Sequence, residues 1–166
     1  FIPAEDGTFR AEAIGGTNDL SAGQLIDRIG VLLDCPFPAG PFVERLAASF
    51  SAVDTPKWKK PKMNDLWFSL SGFQNKAEEL YRAGASKEQV CWMTMQTVCR
   101  AIEETTKRAL ERYDLPLLCS GGVMANGMLR DCLKKYQPVI GTPEYCGDNA
   151  LGTAFLAWRA HHHCAR

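Results

Sequence analysis

Residues 115–126 read LPLLCSGGVMAN, an apolar run that stops at Gly121-Gly122 and passes into helix-forming residues. A strand, a glycine loop and a helix start in that order can present main-chain N–H groups to a ligand. Glycine brings no side chain and reaches positive φ, and unpaired N–H groups at a helix N-terminus attract phosphate and other anions. A tight turn without a ligand is the competing reading. A second pattern lies upstream, where Gly23, Asp27 and Gly30 follow the spacing i, i+4, i+7. That spacing puts a carboxylate on one helical face with a glycine one turn to either side. Such an acid can meet a ligand hydroxyl closely; alternatively the glycines serve helix packing and Asp27 pairs with Arg28 or water. A third stretch, SAVDTPKWKKPKMNDL at 51–66, carries four lysines, two prolines and Trp58 without apolar periodicity. A surface loop of this kind is either simply solvated or able to hold phosphates and stack a base.

Composition narrows the chemistry further. All three histidines, His161, His162 and His163, lie within the last six residues. The body of the chain therefore has no imidazole base and no His metal ligand, which excludes a self-contained Ser-His or zinc hydrolase. Seven cysteines, Cys35, Cys91, Cys99, Cys119, Cys132, Cys146 and Cys164, are scattered and never spaced CxxC. They fit reduced thiols among apolar neighbours rather than a disulfide framework or zinc ribbon. Nineteen basic and nineteen acidic side chains cancel, so any nucleic-acid contact must come from a local patch. No apolar run reaches the roughly 18 residues of a membrane helix, and the expected setting is cytoplasmic.

The elements that must position these groups follow from periodicity. A strand is expected over Gly7 to Ile14, ended by Gly15-Gly16. A helix capped by Asp19 or Ser21 follows, with Ala22, Leu25, Ile26, Ile29, Leu32 and Leu33 on one face. CPFPAGP at 35–41 is a proline-glycine turn into a short amphipathic helix from Phe42 to Phe50. FSLSG at 68–72 reads as a strand and turn before a helix over Gln74 to Arg82. Ser86 and Gln89 form a capping-box pair that opens the longest helix, through Arg112, about 40 Å long. The LPLLCS strand, a helix from Ala125 to Lys134, a strand near Pro138 to Gly141 and a helix from Asn149 to Ala160 complete the chain.

Four segments stand in an order that carries a resemblance: GGTNDLSAGQLIDRIGVLLDCPFPAGP at 15–41, FSLSGFQNK at 68–76, CSGGVMANGMLRD at 119–131 and YCGDNALG at 145–152. In these motifs the chain resembles the C-terminal half of the tRNA adenosine threonylcarbamoyltransferases, also called glycoproteases or O-sialoglycoprotein endopeptidases. The resemblance implies an α/β fold: the helix-rich C-terminal lobe of an actin, Hsp70 and sugar-kinase-like (ribonuclease H-like) two-lobe architecture, with nucleotide in the cleft. Residues 1–160 would form that lobe and 161–166 a histidine-bearing tail. The opening at FIPAEDG, without an initiator Met, suits a lobe lacking its N-terminal partner.

Residue by residue, Asp27 matches the family aspartate that contacts ribose or adenylate hydroxyls, with Gly23 beside it. Gly40 matches the second glycine of the family's PGGP turn. Gly121 and Gly122 match the adenosine-loop glycines, Asn126 the substrate-contacting asparagine, and Asp148 the aspartate that ligates the catalytic metal. Asp148 could equally cap the last helix. The implied cofactors are ATP or an adenylate and, in the intact protein, one divalent metal, iron or zinc. The family's two metal-binding histidines belong to the other lobe, so half a metal site and an inactive fragment are expected here. The implied partners are that lobe, tRNA, family partner proteins and, through the uncovered apolar face, a second copy. Departures matter: Thr17 and Leu20 replace acidic family positions, PGGP becomes PAGP, and CTDNAAM becomes CGDNALG. They keep open a non-catalytic nucleotide-binding or partner-docking role; a metallopeptidase has the least support.

Overall fold

The computed structural model describes residues 2–3, 9–51, 60–147 and 150–163. Helix α1 (Ala22–Leu32) begins at Ser21, whose hydroxyl accepts the Gln24 N–H at 3.2 Å while the Gln24 side chain accepts the Ser21 N–H at 3.0 Å. This reciprocal cap satisfies two donors that a bare helix start would leave open. The apolar stripe of α1 then buries Leu25, Ile26 and Ile29 against α2 (Gly40–Ser49) and the central helix α4 (Lys87–Arg112).

Asp19, the other suggested cap for α1, serves a different helix. Its carboxylate accepts the Leu70 N–H at 2.8 Å, the Ser71 hydroxyl at 2.7 Å and the Ser71 N–H at 3.3 Å. It thus caps α3 (Ser71–Arg82) from 51 residues away, where Leu70 offers no capping side chain. Burial pushes this carboxyl up, but the bonds from Ser71, Leu70 and Leu20 outweigh it and hold the acid well below its ordinary value of 3.8. A folded-state pKa below the unfolded one means that the stabilisation is complete above about pH 4 and is lost as pH falls below it. Asp19→Asn is therefore expected to cost about 1 kcal/mol at neutral pH, the usual worth of an exposed cap. The difference in melting temperature between the two proteins should begin to shrink as pH falls below about 4; a difference that stays constant down to pH 3 would remove Asp19 from this role.

Strands are short. Gly16–Thr17 (β3) pairs in parallel with Trp67–Phe68 (β5), which pairs antiparallel with Met63–Asn64 (β4). A separate antiparallel pair joins Ile2–Pro3 (β1) to Phe9–Arg10 (β2). The expected strand over Gly7 to Ile14 is thus confined to two residues at 9–10, residues 11–15 being irregular and Gly7 outside the described residues. Leu118–Cys119 (β6) pairs in parallel with Val139–Ile140 (β7). Here too the LPLLCS run shortens to two residues. Leu115, Leu118 and Val139 are exposed, so no packed layer extends the ladder among the described residues.

Two cores share α4. The larger joins Leu25, Ile29, Val43, Val90, Met95 and Val98. The smaller joins Cys99 of α4 to Met124, Leu129, Leu133 and Cys146. Cys91, Cys99 and Cys146 are buried thiols, as expected of core cysteines, and burial pushes Cys91 up to about 12; Cys164 lies outside the described residues. The last helix, α7 (Ala150–His163), runs three residues past its expected end and keeps Phe155 and Trp158 exposed. No helix of the described residues is long and apolar enough to cross a membrane.

Candidate functional site

A cleft of about 460 Å³ lies where α1, the start of α2 and the start of α5 (Gly127–Leu133) meet. Gly23, Asp27, Gly40, Gly122 and Asn126 all line it. Five of the seven residues singled out from the sequence thus converge on one cavity, although they are spread along the chain from Gly23 to Asn126. Gly121 adjoins the cleft through Gly122. Asp148 lies outside the described residues.

Asp27 stands half-buried on α1 and accepts the Ala39 N–H through Oδ1 at 3.2 Å. That bond ties the PAGP turn to α1 through a carboxylate that lines the cleft. The pairing with Arg28 considered above does not occur, because the Arg28 guanidinium donates to Gln74 Oε1 at 3.0 Å instead. Gly30, on the same helical face, has the packing role: a Cβ there would stand 2.1 Å from the Ala39 Cβ. The two readings of this glycine-aspartate-glycine face therefore divide by position, with Gly30 serving contact between elements and Gly23 and Asp27 facing the cavity.

The glycine pair behaves differently from the expected helix opening. Gly121 adopts φ 101°, ψ 156°, a region essentially reserved for glycine. Gly122–Ala125 then forms a single 3₁₀ turn, and α5 starts only at Gly127, two residues later than the expected Ala125. The reason is Asn126. Its Oδ1 accepts the Leu129 N–H at 3.2 Å, an N-cap that fixes the helix start. Its Nδ2 lies 3.9 Å from the Met95 sulfur, and the residue is 7% exposed.

Glu44 was not legible as a site residue. It lines the cleft from α2, and its Oε1 accepts the Gly127 N–H at 2.7 Å. A signal did exist: Gly40 and Glu44 are one turn apart on α2 and share a face. Glu44 and Asn126 thus accept two of the N–H groups at the start of α5, those of Gly127 and Leu129. Two carboxylates, Asp27 and Glu44, face the cleft, and among the described residues no Lys, Arg or His lines it. Such a wall accepts hydrogen bonds from hydroxyl and amino groups and repels a polyphosphate.

Arg130 joins this region to the end of the chain. Its Nε donates to the Met124 carbonyl at 2.6 Å and its Nη2 to the Gly141 carbonyl at 2.7 Å, with Cys146 Sγ at 3.2 Å. One guanidinium therefore holds the 3₁₀ turn against the loop that leads toward residue 148. No group of three or more His, Cys, Asp or Glu side chains able to hold a metal occurs among the described residues. The donors here do not fit an iron or zinc site by themselves.

Fold and cleft define a helix-rich α/β domain with an acid-lined, ligand-sized cavity at the junction of three helix starts. The chain belongs to the tRNA N6-adenosine threonylcarbamoyltransferase family, whose model matches residues 4–155. It is 35% identical over 168 residues to a protein of Methanobrevibacter smithii named "Probable bifunctional tRNA threonylcarbamoyladenosine biosynthesis protein", covering 96% of this chain and 30% of that one. It is 32% identical to the tRNA N6-adenosine threonylcarbamoyltransferase of Carboxydothermus hydrogenoformans, over 91% of this chain and 47% of that enzyme. The corresponding enzyme of Trichlorobacter lovleyi is 31% identical, with 92% and 50% covered. The chain thus spans half or less of the length of these relatives. Among solved structures, T. kodakarensis HypF superposes with a TM-score of 0.61 at 22% identity, over 82% of this chain and 19% of that one. That likeness concerns the fold alone.

Proposed function

We propose that this chain is the nucleoside-binding C-terminal lobe, residues 1–160 with a tail at 161–166, of a two-lobe enzyme that transfers a threonylcarbamoyl group to the N6 amino group of adenosine in tRNA. The observation that carries the reading is the convergence of Gly23, Asp27, Gly40, Gly122 and Asn126 on one cleft. Family membership supplies the reaction; the cleft supplies the part this chain plays in it.

In that reaction the adenine nitrogen attacks the carbonyl carbon of a threonylcarbamoyl-adenylate. A C–N bond forms, the bond from that carbon to the adenylate phosphate oxygen breaks, and AMP leaves with the electron pair as the amine gives up a proton. This lobe binds and orients. Asp27 takes the nucleoside hydroxyls, Glu44 takes a second donor while holding the start of α5, and Asn126 fixes the turn that closes over the base. The phosphates point away from the two carboxylates, toward the other lobe. Asp148 is assigned to the metal, iron or zinc, together with ligands from that lobe. The exposed apolar residues on β6, β7 and α7 are the surface we assign to neighbours of this lobe, family partner proteins or a second copy of the chain.

Calorimetric titration checks the assignment, because the cleft is built for a nucleoside and not for phosphate. Adenosine and ATP should bind the full-length protein at this site, whereas inorganic tripolyphosphate should not compete with adenosine. Competition by tripolyphosphate, or no adenosine binding at all, would overturn it.

A further inference from the structure

Two thiols of the smaller core come from different helices and meet. Cys99 lies on α4 and Cys132 near the end of α5, 33 positions further along the chain. Leu129 and Leu133 of α5 pack into the same core as Cys99, and this packing carries Cys132, next to Leu133, against α4 at the edge of that core. The Cys132 Sγ donates to the Cys99 carbonyl at 3.6 Å and to Glu103 Oε2, one turn further along α4, at 3.7 Å. The Cys99 thiol in turn donates to the Cys132 sulfur. The two sulfurs are thus hydrogen-bonded neighbours.

Their surroundings give the pair two different roles. Cys99 is 6% exposed, whereas Cys132 is half-buried. The hydrogen bond from Cys99 holds the Cys132 thiol below its ordinary value, against burial and the Glu103 carboxylate, and Lys135 adds to the effect. The same bond, with burial behind it, pushes the Cys99 thiol up. Lys135 also pairs with Glu103, which offsets the negative charge beside Cys132. Glu103 and Lys135 line a cleft of about 860 Å³, so a small oxidant reaches this side of the pair. Thiolate character and access decide which cysteine reacts. Cys132 is therefore the attacking thiol, with Cys99 shielded behind it. Cys91 differs, being fully buried and pushed up to about 12, and burial also pushes up the half-buried Cys119.

We propose that Cys132 and Cys99 form a peroxide-reactive dithiol whose disulfide staples α5 to α4. In the first step the Cys132 thiolate attacks one oxygen of hydrogen peroxide. An S–O bond forms and the O–O bond breaks; the departing hydroxide takes up the proton that Cys132 released, leaving a sulfenic acid and one water. In the second step the Cys99 sulfur loses its proton and attacks the Cys132 sulfur. The S–S bond forms, the S–O bond breaks, and the departing hydroxide leaves with that proton as a second water. Two thiols are oxidised to one disulfide, and one peroxide is reduced to two waters. A dithiol reductant restores both thiols by exchange. This chemistry is independent of the function proposed for the nucleoside cleft.

The test exposes the reduced full-length protein to hydrogen peroxide at neutral pH, followed by alkylation and peptide mass spectrometry without reductant. A peptide pair linked through Cys99 and Cys132 should appear, and dithiothreitol should abolish it. Cys132 should be consumed about tenfold faster than Cys119. In Cys99→Ala the reaction should stop at the sulfenic acid, captured on Cys132 by dimedone. Cys132→Ser, a change at the edge of the core, keeps the test readable if the change at Cys99 unfolds the protein, and it should leave Cys99 reduced at the dose that links the parent. A sulfenic acid that persists on Cys132 in the parent, a disulfide joining a different pair, equal consumption of Cys132 and Cys119, or oxidation of Cys99 in Cys132→Ser would each overturn the proposal.

Discussion

Asp27→Asn should leave the fold standing and weaken adenosine binding about tenfold. The asparagine keeps an oxygen where Oδ1 now accepts the Ala39 N–H at 3.2 Å, so the PAGP turn stays attached to α1. What it loses is charge. A hydrogen bond to an ionised group contributes about 1.5–3 kcal/mol and a neutral one about 1, and a loss of about 1.4 kcal/mol is a factor of ten in affinity. Asp27→Ala removes both the turn bond and the ligand bond, so it should weaken binding by a further factor of about ten and lower the melting temperature as well. Titration calorimetry beside thermal melts separates the two variants. Equal affinity of the asparagine variant and the parent would show that Asp27 serves only the turn.

Gly30→Ala should destabilise the protein even though helix propensity argues the opposite. Alanine in a helix interior is worth about 1 kcal/mol over glycine. At Gly30 the new Cβ would lie 2.1 Å from the Cβ of Ala39, which is itself fixed to the backbone, so α1 and the PAGP turn must separate. Overpacking of that kind costs about 1–3 kcal/mol, and here it outweighs the propensity gain. The expected net loss, about 1–2 kcal/mol, would lower the melting temperature by roughly 3–6 °C in a chain of this size. Because Ala39 carries the N–H that Asp27 holds, adenosine affinity should fall too. Gly23→Ala is the internal control. Its Cβ would meet only Val123 Cγ2, at 3.4 Å, an ordinary contact. That variant should melt no lower than the parent yet bind adenosine more weakly, since the methyl group enters the cleft. If both alanines shift stability in the same direction, the division of labour between the two glycines is wrong.

Much of the helical framework was legible because its signals are local. Ser21 with Gln24 and Ser86 before Gln89 mark helix starts through bonds spanning three residues, and the stripes of α1 and α4 follow from a period that any helix imposes. Asp19 misled for the complementary reason. Its own sequence neighbourhood offers it α1, but its hydrogen bonds go to Leu70 and Ser71, and nothing within a helical turn records them. The helix start after the glycine loop depends on distant residues in the same way. Whether amides at the start of α5 are open to an anion depends on Glu44, which is 83 residues away and reaches Gly127 only after α2 has packed along α4.

Residue types and their order thus determined by themselves which family this chain belongs to, where α1 and α4 begin, and that no internal histidine can act as a base. Those properties are carried by composition and by contacts within one or two turns. Tertiary structure alone decided that Asp27 and Glu44 line one cleft, that Gly30 packs against Ala39 while Gly23 lines the cavity, and that Glu44 reaches the start of α5. Each of these depends on which side chains are brought within about 4 Å by the packing of separate helices, and local spacing carries no record of that distance.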